Sequence, residues 1–122
     1  MNPETRILII DDEPILRESL QAWLERDGYS VEAVSSGEEG LERVKQASFD
    51  LVFLDLKLED IDGIQVLSRI KGDDPDTAVV MITAYGSVPS AVEAMKQGAE
   101  DYLLKPFEPE ELSLLIEKIL SH

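Results

Sequence analysis

Three runs of consecutive apolar residues, ILII at 7–10, LVFL at 51–54 and AVVMI at 78–82, limit what this chain can fold into more than any other feature. Each has the length of a strand, and a strand apolar at every position has no polar face to give to water. Such strands belong to a sheet covered on both sides. The segments between them read as helices. Pro14 suits the first turn of one, with Asp12 or Glu13 near its cap, and Leu16, Leu20, Trp23 and Leu24 form its apolar stripe up to Gly28. The pattern then repeats. Tyr29–Val34 predicts a strand and about Ser36–Gln46 a helix; after Leu51–Leu54, a loop ends at Gly63 and a helix runs to about Lys71. Ala78–Ile82 is a fourth strand, and Pro89 opens the helix that closes at Gly98. Asp101–Leu104 is a short fifth strand, and Pro109 opens a last helix with the stripe Leu112, Leu115, Ile116 and Ile119. Five strand–helix units predict an α/β fold, a parallel sheet with helices on both faces and right-handed crossovers.

A chain of 122 residues fits one domain, 1–122, and its 43% hydrophobic content suits a globular core. No Pro/Gly/Ser-rich linker divides it. With 26 acidic against 11 basic residues the net charge is -15, which repels nucleic-acid phosphates and favours divalent cations or basic partners. The absence of cysteine excludes disulfides, thiolate metal sites and a cysteine nucleophile. MNPETR has no basic region leading into an apolar signal segment, and no apolar stretch approaches the roughly 20 residues that span a bilayer. A cytoplasmic protein that does not enter membranes is the expectation.

In an open α/β sheet, ligands bind outside the carboxyl ends of the strands. The residues at those ends are Asp11 and Asp12, then Asp55, Thr83 and Lys105. Three carboxylates, a hydroxyl and an ammonium thus converge on one edge although they are far apart in sequence. Crowded carboxylates repel unless a cation intervenes. Mg²⁺ takes oxygen ligands and keeps several waters, so a few protein oxygens are enough. A carboxylate is also a nucleophile toward phosphorus, and phosphoryl transfer needs a metal and cations around the phosphoryl oxygens. Lys105 supplies a point charge and Thr83 a hydroxyl donor.

IIDDE, LVFLDLKLEDIDG, MITAYGS and GAEDYLLKPF together resemble the receiver domain of two-component response regulators, over essentially the whole chain and in the expected order. The resemblance implies a flavodoxin-like (βα)5 sandwich of three layers with strand order 2-1-3-4-5. It implies that a sensor histidine kinase phosphorylates Asp55, and that Asp11, Asp12, Asp55 and the Lys57 backbone carbonyl hold Mg²⁺. Thr83 and Lys105 would bind the phosphoryl group, and Tyr102 would be the switch aromatic, turning inward from an exposed position. A cis Lys105–Pro106 bond is implied as well. The output, on this likeness, is an effector domain or downstream protein, with a homodimer formed on phosphorylation. TAYGS, Ala94–Met95–Lys96 and DYLLKPF are similar to receivers of nitrogen-regulation-type, enhancer-binding transcription activators. The chain stops soon after its last helix, and the expectation is either a stand-alone receiver or, as the favoured reading, a domain of a longer regulator. Receivers usually carry proline four residues after the phosphoacceptor; here that position is Glu59, and a more mobile loop is expected.

Plainer readings stand beside these. Acidic pairs at strand ends commonly cap helices, Asp60 and Asp62 read as turn residues before Gly63, and Tyr102 as a half-buried strand aromatic. Glu13 is expected to face solvent and Trp23 to lie in the core, while His122 receives no role. Two other functions compete. An Asp-nucleophile Mg²⁺ phosphatase of the haloacid-dehalogenase type would want a second Asp at position 57, which is Lys57. A flavin- or nucleotide-binding module would want a Gly-rich loop where DDEP stands.

Overall fold

The structure, a computed structural model, describes residues 5–121; MNPE and His122 lie outside them. Its elements run β1 (Arg6–Ile10), α1 (Pro14–Arg26), β2 (Ser30–Val34), α2 (Gly37–Gln46), β3 (Leu51–Asp55), α3 (Gly63–Asp73), β4 (Ala78–Thr83), α4 (Val88–Lys96), β5 (Asp101–Leu104) and α5 (Pro109–Leu120). The five strands pair in parallel in the order β2-β1-β3-β4-β5. These are the order and the alternation expected.

The apolar runs are explained by which layer each residue meets. Successive side chains of a strand point to opposite faces. Ile7, Ile9, Leu51 and Phe53 pack with Leu20 and Leu24 of α1 and Leu112 and Ile116 of α5. Their neighbours Leu8, Ile10, Val52 and Leu54 pack with Leu41 of α2, Val66, Leu67 and Ile70 of α3 and Ala94 of α4. One polar residue in the middle of β1 or β3 would therefore be buried without water on either side. Trp23 sits at the rim of its layer, half-buried, and not in the centre. Its indole N–H donates to Ser113 Oγ at 2.9 Å, and the Arg26 guanidinium lies 5.3 Å from its ring.

The helix boundaries follow the local chemistry. Pro14 and Pro109 each sit in a first turn, where the missing N–H costs nothing. Gly28 and Gly98 end their helices at φ 96° and 105°, a conformation that side chains disfavour. The chain runs from β1 outward to β2 and returns to β3 on the other side of β1. That reversal opens a crevice beyond the carboxyl ends of β1 and β3.

Candidate functional site

The crevice gathers the acidic residues. Asp11, at the end of β1, is fully buried; Asp55, the last residue of β3, is 4% exposed; Asp12 is half-buried between them and solvent. One carboxylate oxygen from each lies within 4.8 Å of the others. Lys105 enters from the end of β5 and donates to Asp11 Oδ2 at 2.9 Å, Glu13 Oε1 at 2.6 Å and Asp55 Oδ2 at 3.4 Å. The Lys105–Pro106 peptide is cis, as the resemblance implies. A cavity of about 480 Å³ opens above, bordered by Asp12, Glu13, Asp55, Lys57, Glu59 and Tyr85.

Backbone amides hold two of the carboxylates in place. Asp11 Oδ1 accepts from the Glu13 N–H at 2.9 Å, and Asp55 Oδ1 accepts from the Lys57 N–H at 3.1 Å. Burial raises the Asp55 pKa first, and the charge of Asp11 raises it further. The Lys57 amide and Lys105 oppose this only in part, and the carboxyl is pushed up to about 6. Burial alone would lower the Lys105 pKa, but its bonds to Glu13 and Asp11, and the charges of Asp11 and Asp55, carry it upward. Lys105 is thus a permanent cation, and Asp55 a carboxylate that lacks enough positive charge around it.

Thr83 ends β4, one residue beyond the Ile82 that pairs with Asp55. It is fully buried, and its Oγ1 accepts from the Tyr85 N–H at 3.0 Å. Tyr102 is half-buried, not exposed, and its ring packs against the α2–α3–α4 layer. Its hydroxyl lies 2.7 Å from Ser90 Oγ in the first turn of α4. Ser90 belongs to a capping box with Ser87, in which each side chain bonds the other's backbone N–H. Tyr102 is therefore joined to the helix entrance and not free on the surface.

Four residues, Glu13, Ser87, Ser90 and Asp60, have partners here that the sequence does not assign. Glu13 is exposed, but its carboxylate turns to Lys105 and makes no helix cap; only its backbone occupies the N-cap position of α1. Ser87 and Ser90 are three residues apart, as a capping box requires, a spacing present in the sequence; the link from Ser90 to Tyr102 is not. Asp62 does serve the turn before Gly63, accepting from the Ile64 N–H at 2.9 Å. Asp60 instead reaches α2, accepting from Gly37 and Glu38, each at 3.0 Å. The loop expected to be freer without proline is tied to a helix.

The chain matches the response regulator receiver domain over residues 7–117 and belongs to that family, a signalling domain of two-component systems. It is similar to the transcriptional regulatory protein ZraR of Escherichia coli K12, 44% identical over 116 residues that cover 95% of this chain and 26% of that protein. The chain thus spans about a quarter of that relative's length. Among solved structures, a CheY-like response regulator receiver domain protein from Methanospirillum hungatei superposes with a TM-score of 0.95 at 33% identity. That match covers 97% of this chain and 94% of the other. The receiver domain of NtrX from Brucella abortus gives 0.88 at 33% identity, over 94% and 98%. Among the described residues no helix is long and apolar enough to cross a membrane.

Proposed function

We propose that residues 1–122 form one receiver domain whose phosphoacceptor is Asp55. The observation that carries this reading is the three-carboxylate cluster with the Lys105 ammonium bonded to two of its members. The donor set suits Mg²⁺: hard oxygens only, close together, around a carboxyl that burial, and then repulsion by Asp11, push up to about 6. Asp11, Asp12, Asp55 and the Lys57 backbone carbonyl would hold the ion. When bound, it would supply positive charge to the phosphoryl oxygens.

The chain's own residues do the rest. An Asp55 carboxylate oxygen attacks the phosphorus of a phosphohistidine on a sensor histidine kinase. The new O–P bond forms as the P–N bond breaks, and its electron pair stays with the imidazole. Lys105 balances the charge of the phosphoryl oxygens, and the Thr83 hydroxyl donates to one of them. The Asp55–Lys57 amide bond keeps the carboxyl oriented. Slow self-phosphorylation from small donors and slow autodephosphorylation belong to the same chemistry. The readout is a change in the α4–β5–α5 face through Thr83 and Tyr102, seen by an output domain, a downstream protein or a second copy. With a net charge of -15, contact with DNA would fall to another part of the regulator. The setting is cytoplasmic.

Acetyl phosphate with Mg²⁺ tests the assignment. One hydroxylamine-labile phosphoryl group is expected on wild type and none on Asp55→Asn, since an amide is a poor nucleophile. A modification mapped to Asp60 or Asp62 overturns it. Continuous turnover of added phosphoesters would mark a phosphatase instead.

A further inference from the structure

The loop from β3 to α3 carries Lys57, whose amide bonds Asp55 and whose carbonyl is assigned to the ion in the reading above. Lys57 and Asp62 form an isolated antiparallel bridge that closes the loop at its base, and Glu59, where proline is usual, is exposed at its tip. Asp60 supplies the external tie. Its two carboxylate oxygens accept separately from the first two N–H groups of α2, at residues 23 and 22 positions away.

The match is chemical as well as geometric. The first N–H groups of a helix have no partner within it, and the positive end of the helix dipole favours a carboxylate. Ser36, the N-cap of α2, accepts the Glu39 N–H at 3.1 Å. The N–H groups of Gly37, which is buried, and of Glu38, which is exposed, are both taken by Asp60. The slight burial of its carboxyl acts to raise the pKa, but the Glu38 and Gly37 amides outweigh this and the net shift is downward. Apolar packing completes the joint. Ile61 lies so close over Gly37 that a Cβ there would run into its Cγ2, with Leu58 alongside.

We propose that Asp60 is a positioning residue for the metal site: by capping α2 across the gap it holds the Lys57 segment against Asp55, a constraint that proline at position 59 would otherwise give. The proposal rests on the phosphoacceptor reading of Asp55. Removing Asp60 leaves all the assigned ligands in the chain but lets the peptide that presents one of them move. Partners that hydrogen-bond a ligand directly typically change metal affinity by about 10–100-fold, and Asp60, one step further out, is expected at the low end. The effect should lie in binding and not in the chemistry that follows, because Asp55, Thr83 and Lys105 are untouched.

The experiment is a Mg²⁺ titration followed by amide chemical shifts, with acetyl phosphate phosphorylation measured at low and at saturating Mg²⁺. Wild type, Asp60→Ala, Asp60→Asn and the double variant Glu59→Pro/Asp60→Ala are compared. Expected is Mg²⁺ affinity weaker by about tenfold in Asp60→Ala, less in Asp60→Asn, which keeps one acceptor oxygen. At saturating Mg²⁺ the phosphorylation rate should return to near the wild-type value, and proline at 59 should restore affinity to the double variant. A lower melting temperature with unchanged Mg²⁺ affinity, in Ala or in the better-tolerated Asn variant, makes Asp60 a helix cap only and overturns the proposal. So does a rate that stays low at saturating Mg²⁺. Wild type that neither binds Mg²⁺ nor accepts a phosphoryl group overturns the phosphoacceptor reading first, and this proposal with it.

Discussion

Lys105 lies nearer to Glu13, at 2.6 Å, than to Asp55, at 3.4 Å. The ammonium that should serve a phosphoryl group on Asp55 is thus partly held by an exposed carboxylate at the rim. Exposed ion pairs are worth about 0–1 kcal/mol, so the bond is easily exchanged but still competes. Glu13→Gln should bind beryllofluoride, a mimic of the phosphoryl group, more tightly by about twofold to fivefold. Fluoride titration at fixed Mg²⁺ reads this, and weaker binding would mean that Glu13 assists the site.

Asp55 carries a pKa raised to about 6, from an ordinary 3.8. The sign for stability follows from proton counts. Between those two values the folded state binds more protons than the unfolded one, so stability falls as pH rises through the window. Above it, the ionised carboxylate is a net cost in the absence of a metal. Asp55→Asn should therefore raise the melting temperature at pH 8 by several degrees, from a gain on the order of 1–2 kcal/mol. Near pH 4, where Asp55 is already neutral, the gain should vanish. Thermal melts of both proteins at the two pH values, without Mg²⁺, decide it; an equal gain at both would point to a cause other than charge.

The same repulsion predicts a response to Mg²⁺. An ion bound only by the folded chain stabilises it by mass action, about 1.4 kcal/mol at roughly ten times its Kd. Millimolar Mg²⁺ should raise the melting temperature of wild type, and Asp12→Ala should remove most of the rise. A melting curve insensitive to Mg²⁺ would count against the site.

The parts legible in the sequence share a cause. Ile7–Ile10, Leu51–Leu54 and Ala78–Ile82 are apolar at every position because each strand is covered on both faces, so strand and layer can be read together. The sheet edge then follows, since Asp11, Asp55, Thr83 and Lys105 stand where those runs stop. Pairings made by long side chains were not legible. Glu13 finds Lys105 across 92 residues and Asp60 finds α2 across 23, and neither bond has a local pattern. For Tyr102 the resemblance implies an exposed start and the plainer reading a half-buried strand aromatic; the ring is half-buried, at a depth that depends on packing against the helical layer. What the sequence leaves open is thus mostly where flexible charged or aromatic ends come to rest.

The switch prediction begins from that depth. Tyr102 is half-buried with its hydroxyl on Ser90, and Thr83 is buried with its hydroxyl oxygen taken by the Tyr85 amide. A phosphoryl group on Asp55 brings roughly -1.5 to -2 charges and strong acceptor oxygens. Drawing the Thr83 hydroxyl toward them would release the Tyr85 amide and pull on the segment leading into α4. That segment ends in the Ser87–Ser90 capping box, so the pull reaches the Ser90 bond that anchors the Tyr102 hydroxyl. Breaking that bond costs about 0.5–1.5 kcal/mol, small enough for phosphorylation to outweigh. Beryllofluoride with Mg²⁺ should therefore shift amide resonances from Thr83 through Ala99 to Tyr102, and not only those of the loops carrying Asp11, Asp55 and Lys105. Thr83→Ala should confine the shifts to those loops, because no hydroxyl then links the site to α4. Ser90→Ala should do the opposite: with the anchor gone, resonances of α4 and Tyr102 should already lie partway toward the activated positions before any beryllofluoride is added. Identical spectra for Ser90→Ala and wild type beyond the neighbours of residue 90 would show that the Tyr102 hydroxyl bond plays no part in the switch.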